Sequence, residues 1–175
     1  MSETILRIPH LETERLIMRA PRLDDVEAWA AFYASERSSF VGGPMTRELT
    51  WRALASELGH WAMNGFGRWA LEEKSTGDVV GVVGLWHPEG FPENELGWDL
   101  FDGATGKGYA TEAGRAARAY AYDTLGWTTL ISLIAEGNTG SEGVARRLGA
   151  APDAPFTHER YGTMMMWRHP APDDL

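Results

Sequence analysis

The 175-residue chain contains no cysteine, which excludes disulfide bonds, thiolate metal sites and a cysteine nucleophile. Positive charge is also scarce, since 16 lysines and arginines stand against 25 aspartates and glutamates, a formal net charge of −9. No basic stripe is present to neutralise a nucleic-acid backbone. We therefore expect no nucleic-acid partner, and we expect the acidic chain to attract cationic or amine-bearing molecules.

Long apolar runs are missing as well. No window approaches about 18 consecutive apolar residues, and the N-terminal segment MSETILRIPH lacks the apolar stretch of a signal peptide. The five histidines show no metal-ligand spacing, so no metal site is predicted. Together with the absence of cysteine, these features predict a cytoplasmic protein without membrane contact, folded as a single domain over residues 1–175.

The sequence does contain an alternation of strand and helix patterns. Apolar residues at helical spacing predict one helix after Asp24 and a second that begins at Thr46 and ends at Asn64-Gly65. Strand patterns on either side of short turns predict an antiparallel meander, whereas the stretch from Pro152 to Pro155 predicts a loop. The predicted strands are residues 14–19, 68–73, 79–86, 95–100, 128–135 and 162–168, and the later helices are residues 110–123 and 141–148.

The segment GATGKGYATEA, residues 103–113, places three glycines at the head of an alanine-rich helix. It is not a Walker A loop, because Phe101 stands where the first glycine is needed and Gly108 where the magnesium-binding hydroxyl is needed. A dinucleotide fingerprint fails at Thr111, where its third glycine belongs. Gly106 and Gly108 still remove side chains where backbone N–H groups must approach an anion, beside the positive end of the helix. The loop therefore predicts a pyrophosphate site.

Three blocks of the sequence resemble the GNAT N-acetyltransferases. The loop GATGKGYATEA after ELGWDL resembles their acyl-CoA-binding motif, with Gly108 and Ala110 at its small positions and Thr105 where glutamine or arginine is usual. The block NTGSEGVARRLG, from Asn138 to Gly149, is similar to the segment that follows the family's fifth strand. The opening LETERLIMRAPRLDDVEAW resembles the branch that contains the ribosomal-protein alanine N-acetyltransferases.

This resemblance implies an α/β fold of the α+β type, a mixed, mostly antiparallel twisted sheet of six to seven strands flanked by four helices. Its fourth and fifth strands, here residues 95–100 and 128–135, would run parallel and splay apart. The arm of acetyl-CoA would enter that gap and pair with free backbone groups near Leu100 and Phe101. The resemblance assigns cofactor binding to Leu100, Phe101, Gly106, Lys107, Gly108, Tyr109, Ala110, Thr111, Asn138, Ser141 and Arg147.

The chemistry of acetyl transfer constrains which amines can act as the acceptor. The attacking amine must be neutral, and an α-amino group with a pKa of about 7.8 is neutral far more often at pH 7 than a lysine with a pKa of about 10.4. With the resemblance, the predicted function is an acetyl-CoA-dependent N-acetyltransferase that acts directly on a small-molecule amine or a peptide N-terminus. The alternative on the same fold is a catalytically inactive acyl-CoA-binding regulatory or sensor protein.

A catalytic base must lie near the splayed gap, which leaves Glu95, Glu136, Asp99 or water. Glu95 is favoured because strand alternation places it on one face with Gly97 and Asp99, and because the family often has an acid there.

The general acid of many family members is a tyrosine, but Ala145 stands at the matching position, which leaves Ser141 or water for that role. An acceptor pocket is predicted around residues 38–44 and several aromatic residues that are equally consistent with core packing, namely Trp61, Trp69, Trp86 and Trp98. An exposed tryptophan-rich face would indicate a homodimer.

Overall fold

The structure is a computed structural model that describes residues 6–175. Within that range the chain forms eight strands and four α-helices. The strands are β1 (Leu11–Glu12), β2 (Leu16–Arg19), β3 (Arg68–Glu73), β4 (Val79–Trp86), β5 (Glu95–Leu100), β6 (Ile131–Ala135), β7 (Ala151–His158) and β8 (Gly162–Arg168). The helices are α1 (Val26–Tyr33), α2 (Arg47–Asn64), α3 (Tyr109–Ala119) and α4 (Thr139–Arg147).

All eight strands belong to one sheet, in the order β1-β2-β3-β4-β5-β6-β8-β7. The neighbours are antiparallel except for β5 and β6, which run parallel and share a single registered pair, Glu95 with Ile131, among the residues described. Beyond that pair the two strands diverge. The predicted fold class is confirmed, with eight strands in the described chain in place of six to seven.

The strand β7 corrects the prediction of a loop from Pro152 to Pro155. It forms the edge of the sheet and pairs only with β8 in the described chain, with a register shift between the two prolines. Proline has no N–H to donate, but an edge strand has one side without a ladder and a bulge leaves residues unpaired. This location accommodates both prolines, so a pattern that excludes a central strand does not exclude an edge strand.

Helices cover both faces of the sheet. Val83 and Leu85 of β4 pack in the larger buried cluster with the alanines of α3, and these small side chains let the helix approach the strands closely. Val82 points to the opposite face, where it packs with Trp29 of α1 and Leu54 of α2. Among residues 6–175, no helix has the length and apolar character needed to cross a membrane.

A chain of buried polar groups lies where β5 and β6 begin to diverge. The Ser132 hydroxyl donates to the carbonyl of Leu96 (2.6 Å) and accepts from Nε2 of His169 (2.9 Å). The guanidinium of Arg118 donates to the carbonyl of Leu148 and lies 3.5 Å from Nδ1 of the same histidine. Burial lowers the pKa of His169 to about 3, so the imidazole is neutral and its two nitrogens act as one donor and one acceptor.

Candidate active site

The divergence of β5 from β6 leaves backbone groups of β5 facing an open groove. The N–H of Phe101 donates to the carbonyl of Val80 on β4 (3.0 Å), so alternation turns the N–H and C=O groups of Trp98 and Leu100 away from β4 and toward the gap. One of these, the Leu100 carbonyl, accepts a hydrogen bond from Arg37 (3.0 Å). Backbone donors and acceptors in a gap of this kind suit an amide-bearing chain that lies along the strand.

Phe101 corrects the predicted set of cofactor residues. Its N–H and carbonyl are used by Val80 and by Ala104, and its ring is buried against Trp29 and Phe32. The backbone groups that face the gap therefore lie at Trp98 and Leu100, where the Leu100 carbonyl already accepts from Arg37. The other predicted cofactor residues all line a groove of about 810 Å³, namely Leu100, Gly106, Lys107, Gly108, Tyr109, Ala110, Thr111, Asn138, Ser141 and Arg147.

The glycine loop forms one end of this groove. Gly106 (φ 78°) and Gly108 (φ 82°) both adopt left-handed backbone conformations that favour glycine. Gly108 is the N-cap residue of α3, and no side chain caps that helix end, so first-turn N–H groups are left for an outside acceptor. Arg147 lies across the groove, where its Nε donates to the Thr111 hydroxyl (3.2 Å). The arrangement fits an anion such as a pyrophosphate.

A polar cluster from the turn between β1 and β2 supports the loop, and sequence reasoning missed it. Glu112, in the first turn of α3, accepts hydrogen bonds from the Thr13 hydroxyl (2.6 Å) and from Nε of Arg15 (2.7 Å). Arg15 also donates to the carbonyl of Lys107 (2.9 Å) inside the loop. Burial acts to raise the pKa of Glu112, but the hydrogen bonds from Thr13 and Arg15 hold it below its usual value. An acid that would otherwise repel an anion at this helix end is thus neutralised.

A second cavity, of about 460 Å³, is lined by residues of β5 and β6 and has a charged floor. Arg68 of β3 binds Asp99 of β5 (3.0 Å) and both carboxylate oxygens of Glu57 on α2 (3.1 and 3.2 Å). The Tyr33 hydroxyl donates to Asp99 at 3.4 Å. Burial raises the pKa of Glu57 and of Asp99, and the guanidinium opposes that rise. We call Glu57, Arg68, Asp99 and Glu95 the acidic floor.

Glu95 is the member of the acidic floor that no arginine contacts among the described residues. Its Oε1 accepts a hydrogen bond from the Leu133 N–H of β6 (3.0 Å), and its side chain lines the cavity. Burial raises its pKa to about 7, although the Leu133 N–H and the charge of Arg68 act in the opposite direction. A carboxyl group with this pKa exchanges protons near neutral pH, as a general base requires.

The other proposed bases are less suited to that role. Asp99 points toward the cavity, but Arg68 and Tyr33 both bind its Oδ2. Glu136 is exposed and is absent from the lining of both cavities. The geometry therefore favours Glu95, as the sequence pattern did.

The groove and the second cavity meet at the gap. Trp98, Asp99, Asn138 and Ser141 line both of them. The indole N–H of Trp98 donates to the Ser141 hydroxyl (3.1 Å), which leaves the hydroxyl proton of Ser141 available to another acceptor. The side chain of Asn138 caps α4 by accepting the N–H of Ser141 (3.2 Å).

Ala145, where the family tyrosine was expected, is fully buried in a cluster with Ile134 and Trp167. Trp98 packs against this cluster, and Ala145 lines neither cavity.

The structure separates the residues of the predicted acceptor pocket into two groups. Trp86 and Trp98 line the second cavity together with parts of residues 38–44, whereas Trp61 and Trp69 are buried in the core. Of the tryptophans that the structure describes, Trp51 alone is among the exposed large hydrophobic residues, so the tryptophans do not form an exposed face.

Of the acidic floor, Glu95 and Asp99 were predicted to share a strand face near the gap, but their association with Arg68 and Glu57 was not predicted. The signal that was present is Glu57, which falls between Leu54 and Trp61 on the buried face of α2.

A splayed parallel strand pair, a glycine loop at a helix end and an acid-floored cavity across the gap together define the architecture of an acyl-CoA-dependent transferase. A family model described as an acetyltransferase (GNAT) domain matches residues 15–151. The chain belongs to the GNAT acetyltransferase family and is an acyltransferase, which confirms the predicted family. Members of this family use acetyl-CoA.

Similar proteins agree with this assignment. A solved acetyltransferase from Agrobacterium tumefaciens is 36% identical, with a TM-score of 0.85 over 97% of this chain and 98% of that chain. The uncharacterized N-acetyltransferase YoaA of Bacillus subtilis is 24% identical over 81% of this chain and 82% of that protein. The structure of a spermidine N-acetyltransferase from Vibrio cholerae, in complex with CoA and spermine, shares the fold with a TM-score of 0.73 and 17% identity, over 91% of this chain and 97% of that chain.

Proposed function

We propose that this protein transfers the acetyl group of acetyl-CoA directly to a primary amine, either a protein N-terminal α-amine or a small-molecule amine. The observation that carries the proposal is the junction at Trp98, Asp99, Asn138 and Ser141, which line both the groove and the acid-floored cavity. An amine in the cavity and a cofactor in the groove would meet there without an intervening protein wall. The chain has no cysteine to carry an acetyl group between them.

Residues along the groove would hold the pyrophosphate and the pantetheine arm of acetyl-CoA. The left-handed glycines Gly106 and Gly108 and the uncapped start of α3 would hold the pyrophosphate, with Lys107 and Arg147 as cationic neighbours. The backbone groups of Trp98 and Leu100 would pair with the pantetheine amides. When bound, acetyl-CoA supplies an acetyl group already activated as a thioester.

The acidic floor would draw the acceptor into the cavity as an ammonium ion. Glu57 and Asp99 share a single guanidinium, so an ionised Glu95 leaves the floor with an excess of negative charge. Glu95 would then accept the proton that the amine must lose before it can attack. A carboxyl with a pKa of about 7 is closely matched to an α-amine with a pKa of about 7.8, so an α-amine needs the least help from this site.

Ser141 would donate its hydroxyl hydrogen toward the sulfur as the thiol leaves. Its oxygen already accepts from the Trp98 indole, and this hydrogen bond orients the hydroxyl proton toward the gap. The Trp98 indole would thereby orient the Ser141 hydroxyl as the proton donor, in a site where alanine stands at the position of the family tyrosine.

The test is acceptor-dependent release of free CoA thiol with a panel of amines and peptides with free N-termini. We expect release from at least one α-amine class, and we expect Glu95→Gln to reduce kcat by roughly 10²-fold or more. Glu93→Gln, which removes a carboxylate bound to Arg168 outside the cavity, is the matched control and keeps its activity. If acetyl-CoA raises the melting temperature but no amine in a broad panel releases thiol, the alternative of an inactive acyl-CoA-binding protein is correct.

A further inference from the structure

Arg160, at the turn between β7 and β8, lines the cavity and has no acidic partner among residues 6–175. Most arginines in the described part of the chain pair with a carboxylate within 4.0 Å, but Arg160 pairs with none of the described ones. Its guanidinium packs over the ring of the adjacent Tyr161, 5.4 Å from the ring centre. A cation that lines a cavity and has no protein counter-charge is available to an anionic group of a ligand.

Arg160 and Tyr161 lie beside Gly42 of the segment across the cavity. A Cβ built on Gly42 would lie 3.8 Å from Nη2 of Arg160 and 3.0 Å from Cε1 of Tyr161, and all three residues line the cavity. We call Gly42, Arg160 and Tyr161 the rim. Gly42 has a left-handed backbone (φ 92°), so any side chain at this position would be strained and would also press on the tyrosine.

The walls between the rim and the acidic floor are aromatic and apolar. Trp86 and Phe91 line the cavity, and Phe91 packs edge-to-face on Tyr161 with ring centres 6.3 Å apart. Arg68 of the acidic floor packs over Trp86, 4.9 Å from the ring centre, whereas Arg160 packs over Tyr161, which contacts Phe91. The cavity therefore has carboxylates beside Trp86 and a guanidinium beside the Phe91–Tyr161 pair, with aromatic walls between them. A polyamine, which is cationic throughout, would place positive charge against Arg160.

We propose that the acceptor is an amine with a carboxylate at the opposite end of an apolar or aromatic body. The ammonium group would lie on the acidic floor, the body against Trp86 and Phe91, and the carboxylate on Arg160. The inference rests on the proposed function, because it names the substrate class of the same cavity. The other arginines that line the cavity are engaged, since Arg68 binds Glu57 and Asp99 within the floor, and Arg52 binds Glu48 (2.6 Å) on the outside of α2.

The experiment compares two acceptors that differ only at the far end, 4-(2-aminoethyl)benzoate and 4-(2-aminoethyl)benzamide. Their dissociation constants for the protein with CoA bound are measured from the fluorescence of the cavity tryptophans, and their kcat/KM values from thiol release. We expect the wild type to favour the benzoate roughly fivefold, the value of a partly exposed ion pair. We expect Arg160→Met to abolish that preference with little effect on the benzamide, and Arg52→Met to retain it.

The two readouts separate this inference from the proposed function. Equal binding of the two compounds by the wild type, or an equal loss of preference in Arg52→Met and Arg160→Met, overturns the role of Arg160. A fivefold preference in binding that depends on Arg160, without thiol release from any amine, upholds this class of compound as the ligand of the cavity and overturns the transferase. Acetylation of cationic diamines in preference to the benzoate upholds the transferase and overturns the acceptor class.

Discussion

The raised pKa of Glu95 makes a prediction about stability as well as rate. A carboxyl group whose pKa rises on folding binds more protons in the folded state than in the unfolded state, so the protein loses stability as pH rises through the window between the two values. For Glu95 this window runs from its ordinary 4.5 to about 7. At about 1.36 kcal/mol for each pKa unit, ionising Glu95 in the folded protein costs up to about 3 kcal/mol at pH 8.

Glu95→Gln removes that cost and little else, because the glutamine oxygen can still accept the Leu133 N–H. We expect the variant to match the wild type at pH 4.5 and to exceed it at pH 8 by about 1 to 3 kcal/mol in the free energy of unfolding, while its activity is lost. Urea denaturation of both proteins across this pH range measures the difference. The wild-type kcat/KM should rise with pH through about 7, and that step should disappear in the variant.

Glu93→Gln is a control for which we expect the opposite change in stability with pH. Hydrogen bonds from Arg168 hold the pKa of Glu93 below its usual value, so its carboxylate stabilises the fold above its unfolded pKa. We expect Glu93→Gln to be less stable than the wild type at pH 8, with the gap closing as pH falls. If the difference between wild type and Glu95→Gln does not change with pH, Glu95 is not desolvated, and its assignment as the base loses its physical basis.

Three further predictions concern the groove. Ser141→Ala should lower kcat roughly tenfold and leave the KM for acetyl-CoA nearly unchanged in steady-state kinetics, whereas equal effects on both would contradict a role in thiol departure. Thr105→Arg should change the dissociation constant of acetyl-CoA by no more than about twofold in calorimetry, because the backbone N–H groups of the loop and of the helix end supply the hydrogen-bond donors. A large gain in affinity would show that these backbone donors do not suffice. Arg15→Ala should raise that dissociation constant roughly fivefold and steepen its dependence on pH, because Glu112 then faces the anion without its cationic partner. The double variant Arg15→Ala, Glu112→Gln should recover most of the loss.

The parts of this protein that could be predicted are those whose information is local in the sequence. The glycine loop and the start of α3 follow one another directly, and the Asn138 block sets its cap and its hydroxyl three residues apart. The acidic floor is different, because Arg68 is 11 residues from Glu57 and 31 from Asp99. Nothing in the spacing of those residues indicates that they meet, and only the packing of α2 on the sheet brings them together.

The errors have physical reasons as well. The resemblance assigned Phe101 to the cofactor together with Leu100. Strand alternation turns the Phe101 backbone toward β4, because one residue of register decides which side a backbone group faces. The prolines at positions 152 and 155 argue against a central strand, but they do not argue against an edge strand. In both cases the missing information was the identity of the neighbouring strand, which a single sequence does not carry.

The divergence of β5 from β6 also explains why the candidate base lies where it does. The Ile131 N–H donates to the carbonyl of Asn94, so alternation directs the Leu133 N–H toward β5 as well. In a continuous parallel ladder that N–H would bind a β5 carbonyl. Because the strands part after Glu95, it binds the Glu95 carboxylate (3.0 Å). The same departure from regular pairing therefore opens the groove and supplies the backbone donor that holds the base, so a change that closed the gap would release Glu95 as well.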